Sequence, residues 1–160
     1  MTSSNTRSTP PPACRRRRLP LLAVPAPVGL GRHFTRQALA DWGWAAPDTR
    51  TDDVLLVVSE LLANACLHGD GPRELTLTAS TRGLRVEVSD CAATLPSPRA
   101  PGPAGAPGGH GLHIVERLSR RWGALSREGG KTVWAEVAAT RPHTRAVATT
   151  AAGRCHPTAP

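Results

Sequence analysis

The fold of this chain is decided by the segment SELLANACLHG, residues 59–69. Its leucines and alanines recur at the spacing of an amphipathic helix whose apolar face packs against a core. Glu60, Asn64 and His68 follow one another at intervals of four residues, so they share one ridge of that helix. Such a polar stripe is typical either of a solvated helix edge or of a binding site, and the spacing alone leaves both interpretations open.

The helix that contains this segment is expected to begin at Thr51, which can cap it, and to end at Gly69. The same apolar spacing predicts further helices over residues 28–44 and 112–121. Alternating or apolar runs predict strands over residues 19–24, 74–80, 84–90, 122–127 and 131–138. This order predicts an α+β fold, a two-layer sandwich with the helices on one face of a mostly antiparallel sheet.

The positive charge lies at the two ends of the chain. The 160 residues carry a formal net charge of +8, yet residues 25–138 hold equal numbers of basic and acidic side chains. Residues 1–18 and 139–160 are rich in Pro, Thr and Arg and are expected to be disordered tails, which leaves one domain over residues 19–138. Because that domain is neutral and has no recognition motif, nucleic-acid binding through Arg15 to Arg18 is not favoured as the main function.

The cysteines and the apolar runs indicate a cytoplasmic protein. The four cysteines form no CxxC pair, so neither a zinc site nor a disulfide framework is predicted, and a reducing compartment fits. Residues 15–24 resemble a secretory signal only faintly, because Pro20 interrupts the apolar run and Pro25 and Pro27 follow it. No segment approaches the ~20 apolar residues of a transmembrane helix.

Two further features are candidates for the same site as the polar stripe. Asp90 closes a strand, where a carboxylate could accept a hydrogen bond from an exocyclic amine such as that of adenine, or could be a simple turn residue. GGHG at residues 108–111 leads into the third helix. Glycines let a backbone approach phosphate oxygens and a helix N-terminus supplies N–H donors, although a flexible hinge has the same composition.

In combination and in this order, these features resemble the GHKL ATPase superfamily, in its anti-sigma factor serine-protein kinase branch. ELLANA at residues 60–65 resembles that family's N box, and Asp90 stands where its adenine-binding Asp is expected. GHGL at residues 109–112 resembles the second glycine box, and GGKTVW at residues 129–134 resembles the segment whose Thr lies beside the nucleotide. The resemblance covers residues 19–138 and implies a Bergerat ATP-binding fold, with the Pro-rich residues 92–107 as the ATP lid.

The resemblance implies ATP and Mg²⁺ as cofactors and assigns roles residue by residue. Asn64 would bind Mg²⁺, which suits an amide oxygen, and Glu60 would be the catalytic base. Asp90 would hold the adenine amine. The remaining nucleotide contacts would come from Gly109, Gly111, Leu112 and Thr132. His68 receives no chemical role and is expected to be a structural part of the helix end.

Two functions remain open. The first is an ATP-binding regulatory serine kinase that binds a sigma factor or a STAS-type anti-sigma antagonist, phosphorylates a Ser of the antagonist, and dimerises as its relatives often do. The second is a non-catalytic module that binds a partner and holds nucleotide weakly or not at all. The Glu60 and Asn64 pair favours the first. Ala92 favours the second. It stands where the family's first glycine box has Gly, and its methyl group occupies space near the adenine base.

Overall fold

The computed structural model describes residues 14–44, 50–92 and 111–138. Within these ranges the chain forms three helices and five strands. They are, in chain order, β1 (Arg15–Pro20), α1 (Pro27–Asp41), α2 (Thr51–His68), β2 (Pro72–Ser80), β3 (Gly83–Asp90), α3 (Gly111–Leu118), β4 (Arg121–Arg127) and β5 (Gly130–Ala138). All neighbouring strands are antiparallel, and the sheet order is β1-β2-β3-β5-β4.

The helices and the sheet form two layers around one core. Helices α1 and α2 pack on each other and on the sheet, and α3 packs on α2. Because side chains alternate along a strand, every second residue of β2, β3 and β5 points into this core. The sheet side contributes Leu75, Leu77, Val86, Val88, Val133 and Ala135, and α2 contributes Val54, Val57, Val58, Leu61, Leu62 and Ala65. The predicted α+β sandwich is confirmed.

Helix α2 has nearly the predicted bounds, but its ends are built differently from the expectation. Arg50 is the N-cap residue, and the Thr51 hydroxyl donates to the carbonyl oxygen of Trp44 at 2.8 Å instead of capping the helix. At the other end, Asp70 and Gly71 take left-handed φ angles of 55° and 90°. This reversal turns the chain directly from α2 into β2.

The expected tail boundary at residue 18 is wrong, because Arg15 to Arg18 belong to β1. The Arg17 guanidinium lies 5.9 Å from the ring centre of Trp42 and 2.7 Å from a carboxylate oxygen of Asp41. Arginine stems cover apolar surface while their charged ends stay in water, so an arginine run can form an edge strand. The remaining residues of the two expected tails, 1–13 and 139–160, lie outside the described ranges.

No helix among the described residues is long and apolar enough to cross a membrane.

Candidate nucleotide-binding site

The polar stripe of α2 is only partly solvated. Glu60 and Asn64 are partly buried, whereas His68 at the helix end is exposed. The Nδ2 atom of Asn64 is buried and has no hydrogen-bond partner. A buried N–H donor without a partner is rare in folded proteins and calls for a specific explanation. This orphaned donor favours a binding site over a solvated helix edge at this position.

The start of α3 lies against the stripe. A Cβ atom added at Gly111 would lie only 2.7 Å from Oε2 of Glu60. The Glu60 carboxylate can therefore occupy this place only because residue 111 has no side chain. Leu112 is the next residue of α3 and is partly buried. The unpaired N–H groups of a helix N-terminus attract anions, including phosphates. Glu60 and this anion-attracting end therefore share one region, while Gly109 lies outside the described residues.

Asp90 ends β3 on the core face of the sheet, with its side chain 1% exposed. Its Oδ1 atom accepts hydrogen bonds from the backbone N–H of Ala92 at 3.0 Å and from Nζ of Lys131 at 3.1 Å. Its Oδ2 atom lies 3.0 Å from the same Nζ, at ion-pair distance, and no second protein donor reaches it among the described residues. Oδ2 is thus the acceptor that remains for an external donor such as an amine.

Two glycines let the chain pack closely around Asp90. A Cβ atom at Gly69 would lie 2.6 Å from Oδ2 of Asp90, and one at Gly130 would overlap the carbonyl oxygen of Asp90. Gly69 has a φ of −125°, so its value here is the space it leaves and not a left-handed conformation. The end of α2 therefore packs against the Asp90 carboxylate, and the start of β5 packs against the Asp90 backbone.

Sequence reasoning missed Lys131, the other charged residue of this site. Its side chain is 1% exposed, and besides Asp90 its Nζ donates to the carbonyl oxygen of His68 at 3.4 Å. Strand periodicity was the available signal, because Lys131 alternates in phase with the core residue Val133. Lysine is almost never fully buried unless it is paired. The His68 carbonyl, and not its exposed imidazole, makes this contact.

The side chains of Thr132 and Asp90 lie on opposite faces of the sheet. It is paired across the sheet with Ser89 and Leu125, and it is partly buried on the face that carries no helices. A period of two puts successive strand residues on opposite faces, so a threonine directly after the core-facing Lys131 points away from the helices. Lys131 stands beside Asp90 instead.

Ala92 does not carry the backbone strain that its position in the glycine box would imply. It is absent from the described non-glycine residues with positive φ, which are Ala23, Ala26 and Asp70. Its N–H group donates to Asp90, so the turn forms with an ordinary backbone conformation. Only its methyl group distinguishes it from glycine here. Residues 93–107, the greater part of the expected ATP lid, lie outside the described ranges.

The oxygen ligands at this site fit a Mg²⁺ ion that is held jointly with phosphate groups. Among the described residues, no cluster of three or more His, Cys, Asp or Glu could hold a metal by itself. Mg²⁺ is commonly bound through one or two protein oxygens plus substrate phosphates. Asn64 and Glu60, partly buried beside the N-terminus of α3, offer an amide and a carboxylate of that kind.

Fold and site together define a nucleotide-binding α+β domain in which one helix carries the polar stripe and a buried carboxylate closes the adjoining strand. The family model of the histidine kinase-like ATPase domain matches residues 22–137. The chain therefore belongs to this family of the GHKL superfamily, whose domains bind ATP, typically with Mg²⁺. No curated protein is significantly similar to the chain.

Proposed function

We propose that this protein is an ATP-binding regulatory serine kinase of the anti-sigma factor type. It would act in the cytoplasm on a STAS-type anti-sigma antagonist, and it would also bind a sigma factor, as a monomer or a homodimer. The family match supports ATP binding. The observation that carries the proposal is the contact of Glu60 with the start of α3, next to Asn64, whose unpartnered Nδ2 can donate to a phosphate oxygen while its Oδ1 remains for a metal.

Glu60 would act as the base in phosphoryl transfer. Its carboxylate accepts the proton of the substrate serine hydroxyl while the serine oxygen bonds to the γ-phosphorus and the bond to the β–γ bridging oxygen breaks, releasing ADP. Mg²⁺, when bound, neutralises charge on the phosphates. Asn64 would hold that ion, and the N–H groups at the start of α3 would orient the phosphate oxygens.

Asp90 would set the position of the adenine ring. No second protein donor reaches its Oδ2 atom among the described residues, so this atom can accept a hydrogen bond from the 6-amino group of adenine. Lys131 keeps the carboxylate in place, with its Nζ 3.1 Å from Oδ1 and 3.0 Å from Oδ2. A 6-oxo purine such as guanine offers an acceptor where adenine has its donor, so this arrangement favours ATP over GTP.

A second function, a partner-binding module without catalysis, is supported by the same ion pair. Lys131 is the only lysine of the chain, and it is bound at Asp90 rather than near Glu60, so it is not free to stabilise a transferring phosphoryl group. The module would then sequester its partner without using ATP.

Transfer of the terminal phosphate distinguishes the two functions. The wild type and Glu60→Gln are incubated with Mg²⁺, γ-labelled ATP and a STAS-type antagonist. The kinase proposal expects label on a serine of the antagonist with the wild type, and loss of transfer with retained ATP binding in Glu60→Gln. His68→Ala, which changes an exposed residue of the same stripe, is the matched control and should transfer normally. Full transfer by Glu60→Gln would remove Glu60 as the base.

A further inference from the structure

A row of polar side chains crosses all five strands on the face of the sheet that carries no helices. Arg16 pairs with Thr78, Thr78 with Arg85, Arg85 with Glu136, and Glu136 with Arg121. Cross-strand neighbours lie on the same face of a sheet, so these five side chains form one continuous line. Three of the five are arginines, which makes the line basic.

A cavity of about 580 Å³ opens on this row, at the end of the sheet where the β2–β3 turn lies. Four arginines line it, Arg82, Arg85, Arg120 and Arg121, against one acidic residue, Glu136. We call this feature the arginine cavity. It lies at the opposite end of β3 from Asp90, roughly 23 Å away for seven residues at about 3.3 Å each. It is therefore separate from the nucleotide site.

The one carboxylate of the arginine cavity is already satisfied. Arg121 donates to Oε2 of Glu136 at 2.8 Å, and Arg85 donates to Oε1 at 3.0 Å. The hydrogen bond from Arg121, and then that from Arg85, lower the pKa of Glu136 although burial opposes the shift. Glu136 therefore stays ionised and has little capacity left to neutralise the other two arginines.

Arg82 and Arg120 are the free cations of the cavity. Neither side chain has an ion pair or a hydrogen bond within the described part of the chain, and both residues are exposed. Arg85, in contrast, is fixed in place, since its guanidinium lies 4.0 Å from the ring centre of Trp134. Two free guanidinium groups next to an ordered Arg–Trp pair resemble the composition of protein-binding surfaces, which are enriched in Arg and Trp.

No acidic segment of the chain itself is available to fill the arginine cavity. Residues 139–160, which continue from the β5 end of the cavity, contain three arginines and no Asp or Glu. Outside the described ranges the only acidic side chain is that of Asp48. Arg85 and Arg121 have carboxylate partners within the domain, so Arg82 and Arg120 are the two arginines open to a counter-charge on another molecule.

We propose that the arginine cavity is a docking site for an acidic peptide segment of a partner protein. Its volume exceeds what a single phosphate ion needs, and its two unpaired guanidinium groups match two carboxylate side chains on one backbone. A nucleic-acid backbone fits less well, because residues 25–138 carry equal numbers of basic and acidic side chains and the domain as a whole does not attract a long polyanion. The proposal does not depend on ATP binding or phosphoryl transfer.

The test uses the full chain and a fluorescein-labelled hexaglutamate peptide, with binding followed by fluorescence polarisation. Arg82→Glu/Arg120→Glu changes the two unpaired arginines and leaves the bonds of Glu136 intact. We expect this variant to bind the peptide at least about tenfold more weakly than the wild type. The matched control is Arg36→Glu/Arg127→Glu, which changes two exposed arginines outside the cavity by the same total charge and should keep most of the affinity.

Three results would overturn the proposal. Equal losses in both double variants would show that the peptide responds only to net charge. A single-stranded oligonucleotide that displaces the peptide more effectively than unlabelled hexaglutamate would assign the surface to nucleic acid. Displacement of the peptide by inorganic phosphate, at concentrations comparable to those of unlabelled hexaglutamate, would show that the cavity binds simple anions and not a peptide. Mg²⁺-dependent ATP binding, measured on the same samples, should be unchanged in Arg82→Glu/Arg120→Glu. A failure of ATP binding in the wild type would therefore count against the proposed function and not against the arginine cavity.

Discussion

Lys131 Nζ lies 3.0 Å from Oδ2 of Asp90, and both side chains are 1% exposed. The only lysine of the chain is thus buried against the carboxylate that is proposed to recognise adenine. Taking two charges out of water is costly, and their attraction offsets that cost only while both are present. The pair consequently links the stability of the domain to its nucleotide site, because Lys131 also bonds to the end of α2.

Removing either charge of the pair should destabilise the domain. Asp90→Asn leaves Lys131 as a buried unpaired cation, and Lys131→Met leaves Asp90 as a buried unpaired anion. We expect each to lower the free energy of unfolding by about 3–5 kcal/mol. The double variant Asp90→Asn/Lys131→Met should recover most of this loss in urea denaturation. Single variants as stable as the wild type would show that the pair is not buried in solution.

Lys131 should resist amine-reactive reagents in the folded protein. It is the only lysine, so acetylation by a succinimidyl ester followed by peptide mapping reports on one side chain, with the chain's α-amino group as internal control. We expect acetylation of Lys131 to become fast only when urea unfolds the domain. Native labelling as rapid as that of the α-amino group would contradict the ion pair.

Gly111→Ala should disturb the site more than the fold. The added Cβ atom would lie 2.7 Å from Oε2 of Glu60, so the carboxylate or the start of α3 must move. We expect weaker ATP binding and slower transfer. Gly29→Ala in α1 is the control, because a Cβ atom there meets nothing within 4 Å and should stabilise the helix by about 0.5–1 kcal/mol. Normal ATP binding by Gly111→Ala would place the nucleotide elsewhere.

Glu136 should contribute stability that is lost in acid. Its pKa is lowered from the ordinary value of 4.5, chiefly by the hydrogen bond from Arg121, so the ionised form is favoured in the folded state. That contribution is present above pH 4.5 and disappears as the pH falls through the lowered pKa. Glu136→Gln should therefore be less stable than the wild type at neutral pH, and the difference should shrink in acid. Exposed Glu128→Gln should show no comparable pH-dependent difference.

The elements with strong periodicity could be predicted from the sequence. Helix α2 and strand β3 lie within one or two residues of their predicted bounds, because burial of one face imposes a period that the residues display. Arg15 to Arg18 were misassigned because a run of one charged residue type shows no alternation, although Arg17 packs on α1. The side-chain contacts that make β1 a strand depend on tertiary structure.

The helix ridge that Glu60 and Asn64 share could be predicted from the sequence, whereas the contacts of the candidate residues could not. The spacing of Glu60 and Asn64 follows from the helix, but the burial of Asn64 Nδ2 depends on neighbours that only the fold supplies. Lys131 could have been found, since its phase with the apolar residues of β5 places it in the core. The family resemblance indicates Thr132, but the phase of β5 puts its side chain on the face of the sheet opposite to Lys131.

The most direct test of the account is Mg²⁺-dependent ATP binding by calorimetry on the wild type, Asn64→Ala and the stripe control His68→Ala. The wild type and His68→Ala should bind ATP more tightly with Mg²⁺ than without it, and in Asn64→Ala the gain from Mg²⁺ should be lost. Absence of ATP binding by the wild type would exclude the kinase and leave the partner-binding module. An undiminished gain from Mg²⁺ in Asn64→Ala would contradict the assignment of Asn64 as the metal ligand.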